Sequence, residues 1–253
     1  MRPITEFLKN GQWTGRRAFV VGSGPSLKGF DRRLLENELT IGCNMEYKWG
    51  PTIALAQDER IMQGDGAPGF LPLLGDVAWR NTPGMTAVYF HGHPDKEIPN
   101  GSDWIAIAKS DHSREKPFQW GKSLETGLYY GANCGMAAIN LAEILGANPI
   151  YLLGFDAVAA DSAQHCHDSY PAEWLMQDQE SKDSVYGRWV AEFRRIAKLL
   201  KPETRVVNLN PDSAIDAFPK AKLGTAYVPP AVFPSMFDCW LGHNTLTITP
   251  VGL

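Results

Sequence analysis

Ala18-Phe19-Val20-Val21-Gly22-Ser23-Gly24-Pro25-Ser26-Leu27 sets the reading of the whole chain. Four apolar residues run straight into a turn of glycine, serine and proline. A short unbroken apolar run bounded by turn residues predicts a strand buried on both faces. The two glycines let the backbone turn tightly and come close to whatever it meets. Pro25 suits the first turn of a helix, where its missing N–H is no loss. A helix opening there aims free N–H groups at an anion such as phosphate. Leu27 stands where a third glycine would complete a dinucleotide fingerprint, so the turn alone fits either a phosphate cradle or a plain strand-to-helix connection.

The alternation continues outward from this turn. Asp31 is placed to cap a short helix carrying Leu34 and Leu35. Leu39-Thr40-Ile41-Gly42-Cys43 reads as a second strand ending at Asn44, and Thr52-Ile53-Ala54-Leu55-Ala56 as a third ending at Asp58. Thr86-Ala87-Val88-Tyr89-Phe90 is a fourth, leading to His91 and His93; Trp104-Ile105-Ala106-Ile107 suggests a fifth. Leu128, Ala132, Gly135, Ile139 and Ala142 recur at spacings of three and four, which predicts a helix from Gly127 to Leu145 with Gly146 just past its end. The small residues on that face predict close approach to a sheet. Ile150-Tyr151-Leu152-Leu153 is a buried strand leading into Gly154-Phe155-Asp156. A second helix, from about Ser181 to Leu200, places Val185, Trp189, Phe193, Ile196 and Leu199 on one face. Arg205-Val206-Val207-Asn208-Leu209 is the next strand.

Strands alternating with helices predict an α/β, Rossmann-like, mostly parallel sheet with helices on both faces. One domain is expected over residues 18–222, after a lead-in of residues 1–17 and before a proline-rich arm of residues 223–253. In that arm, Leu246-Thr247-Ile248-Thr249 is expected as an edge strand. It packs on its own domain or crosses to a second copy in a homo-oligomer.

The 253 residues carry a formal net charge of -4, with 44% hydrophobic residues. That composition excludes a disordered chain. It also argues against a protein that simply coats nucleic acid, which needs a basic excess. No apolar run reaches the roughly 18 residues of a membrane span, and residues 1–11 have no signal-peptide core; a cytoplasmic location is expected. Cys43, Cys134, Cys166 and Cys239 are scattered thiols. His165-Cys166-His167 lacks further ligands at zinc spacing, so no metal is expected there.

In a parallel sheet, ligands sit beyond the carboxyl ends of the strands. Ser23, Asn44, Asp58, His91, Asp156 and Asn208 fall at those ends. Asp58 and Asp156 suit a divalent metal near phosphates; Asp156 equally suits a ribose hydroxyl or a helix cap. His165 and His167 follow the Asp156 strand by about ten residues, on the ligand side. A histidine there can act as general base near neutral pH, and His91 and His93 are of the same type. Gly121-Lys122-Ser123 resembles the end of a P-loop, but Lys116 occupies the place of its first glycine. There is no Gly-x-Ser-x-Gly elbow.

Gly22 to Leu27, Gly42-Cys43-Asn44, the block TGLYYGANCGMAAINLAEILGANPIYLLGFD from Thr126 to Asp156, and Asn208-Leu209-Asn210-Pro211-Asp212-Ser213 occur in a familiar order. From about Ala18 to Phe218 the chain resembles two related groups. One is the bacterial lipo-oligosaccharide sialyltransferases. The other is the 6-hydroxymethylpterin diphosphokinase-like family, with its phage members. The sialyltransferase resemblance implies a nucleotide-sugar donor held by Gly22, Ser23, Gly24, Pro25, Ser26 and Asn44. It implies that Gly131 to Asn133 and Gly154 to Asp156 close over the nucleoside, and that Asn210 and Ser213 line the site. His165 or His167 is then the general base, and no metal is required. A leaving phosphate would be met by Lys109, Arg114, Lys122, Tyr129 or Tyr130, and the acceptor would be a glycan or a modified nucleobase. Thr126-Gly127 stands where a Ser-Gly pair is usual, which keeps the hydroxyl. The diphosphokinase resemblance implies instead ATP with magnesium and a role for Asp58, although Gln57-Asp58-Glu59-Arg60 departs from the Asp-rich run expected there. A third reading is a non-catalytic nucleotide-binding phage protein.

Overall fold

The structure is a computed structural model that describes residues 2–57, 86–91, 105–109, 119–129, 131–158, 164–168, 170, 175, 178–225 and 246–250. Its strands are β1 (Arg2–Pro3), β2 (Ala18–Val21), β3 (Leu39–Cys43), β4 (Ile53–Ala56), β5 (Thr86–His91), β6 (Ile105–Lys109), β7 (Ile150–Leu153), β8 (Val206–Asn208), β9 (Ala221–Thr225) and β10 (Leu246–Pro250). The α-helices among the described residues are α1 (Cys134–Ile144) and α2 (Gln179–Ile196). Eight strands form one sheet in the order β1-β6-β5-β4-β3-β2-β7-β8. Every neighbouring pair in it is parallel.

β2 lies between β3 and β7, with Val21 opposite Gly42 on one side and Leu153 on the other. All four of its residues are buried. Successive side chains of a strand point to opposite faces. Ala18 and Val20 accordingly join a core with Ile41, Ile53, Leu55 and Leu152. Phe19 and Val21 join a second core with Leu27, Leu35, Leu153 and Leu209. A core on each face is the physical reason that β2 and β7 read as unbroken apolar runs. α1 and α2 cover the first face, through residues such as Met136, Ile139, Phe193 and Ile196. Short 3-10 helices at Pro25–Leu27 and Arg32–Leu35 bring Leu27 and Leu35 to the second face. Asp31 caps the latter, accepting the Arg33 N–H at 3.1 Å. This is an α/β, Rossmann-like architecture.

Two helix boundaries differ from expectation. α1 begins at Cys134, not Gly127. Asn133 is extended and caps the helix, its side chain accepting the Met136 N–H at 3.2 Å. Gly127 has φ 102, which is incompatible with a helix. Residues 121–129 fold back instead onto Asn140, a fully buried residue of α1. Its Oδ1 accepts from the N–H groups of Gly121 (3.2 Å) and Tyr129 (2.8 Å), and its Nδ2 donates to the Gly121 carbonyl at 2.9 Å. Leu128 mimicked helical spacing because this returning segment buries into the same core. α2 ends at Ile196, so Leu199, expected on its buried face, is 39% exposed. Gly135, expected to let the helix approach the sheet, meets instead the turn beyond β7, where a Cβ would lie 2.4 Å from the Phe155 ring.

β9 and β10 pair antiparallel, with Thr225 opposite Leu246 and Ala221 opposite Pro250. The expected strand near Leu246 therefore pairs within its own chain. The apolar Val228 to Pro234 stretch lies outside the described residues.

Candidate functional site

A cleft of about 410 Å³ opens at the carboxyl ends of β2, β3 and β7. Here the strand order reverses, since β2 is followed by β3 on one side while β7 lies on the other. This is the topological switch point at which parallel sheets accept ligands. Gly22 to Pro25 line it from β2, and Cys43 and Asn44 from β3. Gly154 to Val158 line it from β7, Asn133 and Gly135 from the start of α1, and Gln164, His165 and Tyr170 from the following loop. α2 adds Val185, Tyr186, Trp189 and Phe193.

The glycine turn is built around Asp156. The turn's helix is only three residues long, Pro25–Leu27, too short to project a row of free N–H groups. The Ser26 N–H donates to Asp156 Oδ2 at 2.7 Å and the Ser26 hydroxyl to Oδ1 at 2.5 Å. Asn210 Nδ2 donates to the same Oδ1 at 2.7 Å. Asp156 is 3% exposed. A Cβ on Gly24 would stand 2.5 Å from Asp156 Oδ2 and from the Gly154 carbonyl. The glycine there is required by protein packing against protein, and the Ser26 donors expected for an anion already face a carboxylate.

The other residues expected at the site divide. Gly22, Ser23, Gly24, Pro25, Asn44, Asn133, Gly154, Asp156 and His165 line the cleft together. Asn44 sits at φ 52, a left-handed conformation that asparagine tolerates better than most residues; its Oδ1 accepts the Gln57 N–H at 3.3 Å. Ser26, Asn210 and Ser213 are not in the lining. Ser213 is buried behind it, donating to the Phe155 carbonyl at 2.6 Å. Tyr129, expected near a leaving phosphate, is buried and hydrogen-bonds Glu192. Lys122 is exposed, and Lys109 ends β6. Asp58, His93, Arg114 and Tyr130 lie outside the described residues, as do the side chains of His91 and Lys109.

The histidine loop is tied to the glycine turn. The Cys166 N–H donates to the Ser23 carbonyl at 2.9 Å. Below them lies Glu46, 2% exposed. It accepts from Ser23 Oγ at 3.1 Å and from Arg32 Nε and Nη2 at 3.0 and 2.8 Å. The Cys166 thiol lies 3.6 Å from its Oε1. Burial pushes that thiol up to about 11, so it stays protonated at neutral pH. The His165 and His167 rings stack at 5.7 Å, and Tyr170 lies 4.6 Å from His165. Burial lowers the His165 imidazole below its usual value, opposed by a hydrogen bond to the Ser23 backbone. His167 is pushed down to about 4, first by burial and then by nearby His165, Lys48 and Arg32. Both rings are neutral at pH 7, but His165 lines the cleft and His167 does not.

Sequence reasoning missed Glu46, a lone acid between Met45 and Tyr47 with no motif around it. Gln164 and Tyr170 carried no pattern either. Val185 and Trp189 were found by periodicity but read only as a buried helix face.

Magnesium, required under the diphosphokinase reading, needs several oxygen ligands. Asp156 already accepts three hydrogen bonds from Ser26 and Asn210. Among the described residues, no three His, Cys, Asp or Glu side chains gather as a metal site. Also among the described residues, no helix is long and apolar enough to cross a membrane.

No family model matches the chain, and no curated protein sequence does. Among solved structures, the chain is similar to the MAf glycosyltransferase from Magnetospirillum magneticum AMB-1, at 13% identity and a TM-score of 0.42. The match covers 84% of this chain but 35% of that one, so the chain spans about a third of that protein's length.

Proposed function

We propose that this chain is a glycosyltransferase that binds a nucleotide-activated sugar in the cleft and passes the sugar to an acceptor hydroxyl. One observation carries the reading: His165 faces the same cleft as the glycine turn and Asn44, on a loop held to that turn by the Cys166 N–H and Ser23 carbonyl. Neutral at pH 7, His165 is the general base. It removes the acceptor's proton as the hydroxyl oxygen bonds to the anomeric carbon. The bond from that carbon to the donor phosphate oxygen breaks, and the nucleotide leaves with the electron pair. Asn44, Asn133 and Ser23 supply hydrogen-bonding groups to the donor.

The test is a thermal-shift panel of nucleotide sugars, with ATP and magnesium as a comparison arm, followed by turnover of any stabilising donor. Stabilisation rises with ligand concentration over its dissociation constant. The reading expects a nucleotide sugar to stabilise the chain without magnesium, and His165→Asn to lose turnover while keeping donor binding. Full turnover by His165→Asn, or stabilisation by ATP and magnesium alone, overturns it. Glycans and modified nucleobases in DNA are the acceptors to compare.

A further inference from the structure

The cleft has two chemically different walls. One is polar, with Ser23, Asn44, Gln164 and His165. The other is the face of α2 bearing Val185, Tyr186 and Trp189. Tyr186 and Trp189 meet edge to face, with centroids 5.4 Å apart at 61°. Trp189 and Val185 are only partly buried, so this wall presents apolar surface to the cleft. Val158, 38% exposed, carries the apolar surface on beyond the aspartate turn. Among the described lining residues there is no lysine or arginine. Asp156, the carboxylate there, is bound by Ser26 and Asn210.

We propose that the α2 wall is a subsite for the C–H face of a neutral pyranose ring, whose hydroxyl edge turns to the polar wall. A wholly apolar ligand leaves the polar wall unpaired, which costs free energy. On the α2 wall, Val185, Tyr186 and Trp189 offer no cation to a charged ring, so the ring seated there is a neutral one. A pyranose matches both walls, because its C–H groups are weakly positive and the face of an aromatic ring is negative. This deepens the transferase reading and rests on it only for calling the ring a substrate.

The test uses saturation-transfer NMR on the full chain, with methyl glucoside, methyl galactoside and N-acetylglucosamine as probes. UMP, CMP and GMP form a second arm. The expected result is saturation reaching the C–H protons on one ring face of at least one sugar, undiminished when a nucleotide is added. Trp189→Ala and Val185→Glu should each weaken that sugar by about tenfold, the scale of losing a ring contact. Val185→Glu leaves the Trp189 packing in place, and circular dichroism checks that both variants fold. The subsite is overturned if no sugar receives saturation, if Val185→Glu binds as wild type does, or if a nucleotide displaces the sugar. Nucleotide binding without sugar binding overturns the subsite and leaves the transferase reading standing. Sugar binding without nucleotide binding supports the subsite and removes the transferase reading.

Discussion

Ser26 gives both its backbone N–H and its hydroxyl to the carboxylate of Asp156, across 130 residues of chain. Hydrogen bonds to a buried charged acceptor contribute about 1.5–3 kcal/mol each. Asp156→Ala should therefore destabilise the fold by about 3 kcal/mol, and Ser26→Ala by about 1.5 kcal/mol. The double variant should cost less than their sum, because the two residues share the same bonds. Denaturant unfolding of the four proteins measures this; strict additivity would show that the pair does not act as a unit.

Glu46 and Arg32 predict a different loss. The pair is 2% and 25% exposed. Removing one member of a buried pair leaves the other's charge uncompensated, so Glu46→Ala should cost about 3 kcal/mol. It should also release the histidine loop, seen as faster hydrogen exchange at the Cys166 amide. Unchanged exchange there would show that Glu46 stabilises the fold without holding the loop.

The histidines predict a pH dependence with a definite sign. Burial lowers the folded-state value of His167 from 6.5 to about 4. Above pH 6.5 the ring is neutral in both states, and its stabilising contribution is complete. As pH falls below that, the unfolded chain takes up a proton that the folded chain refuses. Stability should decline from near pH 6.5 and level off below about 4. His167→Gln should flatten this slope in unfolding curves measured across the window, whereas a variant as steep as the parent would assign the slope to another group.

Gly135 packs where a methyl group does not fit. Its Cβ would meet Phe155 Cε1 at 2.4 Å, and that ring is braced by Phe193 with centroids 5.9 Å apart. Gly135→Ala should destabilise by about 2 kcal/mol, the usual cost of overpacking. Adding Phe155→Leu should recover part of the loss in thermal unfolding. No recovery would place the strain elsewhere in α1.

Ala157 lines the cleft at φ 51, a left-handed conformation costly for alanine. Ala157→Gly relieves that strain but adds chain entropy, so a net gain of up to about 1 kcal/mol is expected. Denaturation midpoints test it, and a loss of stability would mean that the alanine methyl group is needed for packing.

The strands were legible because burial on both faces leaves a plain signal: Ala18 to Val21 and Ile150 to Leu153 have no polar interruption. The turns after them were legible as an end of the sheet where loops meet, and they line the cleft together. Their internal wiring was not. Asp156, Ser26 and Asn210 come from three distant segments, and nothing local in any of them announces the other two. Glu46 is the same case, meeting Ser23, Arg32 and Cys166 only after β2, β3 and the loop beyond β7 are assembled. Trp189 shows a further limit, since helical spacing marks an apolar face without saying whether protein or an open cleft lies opposite. Asn133 was read as a ligand residue, and the structure shows it capping α1 at the edge of the cleft.

The outermost strands of the sheet are also its shortest, β1 with two residues and β8 with three. The outer side of β8 is partly closed, because Asn208 donates its N–H to the Pro219 carbonyl and bridges Lys220. Exposed sheet edges recruit foreign strands, and short or covered ones do not. Among the described residues, the sheet that gathers so many apolar runs in its middle thus ends at both margins in its shortest strands, one of them already bonded along its outer side.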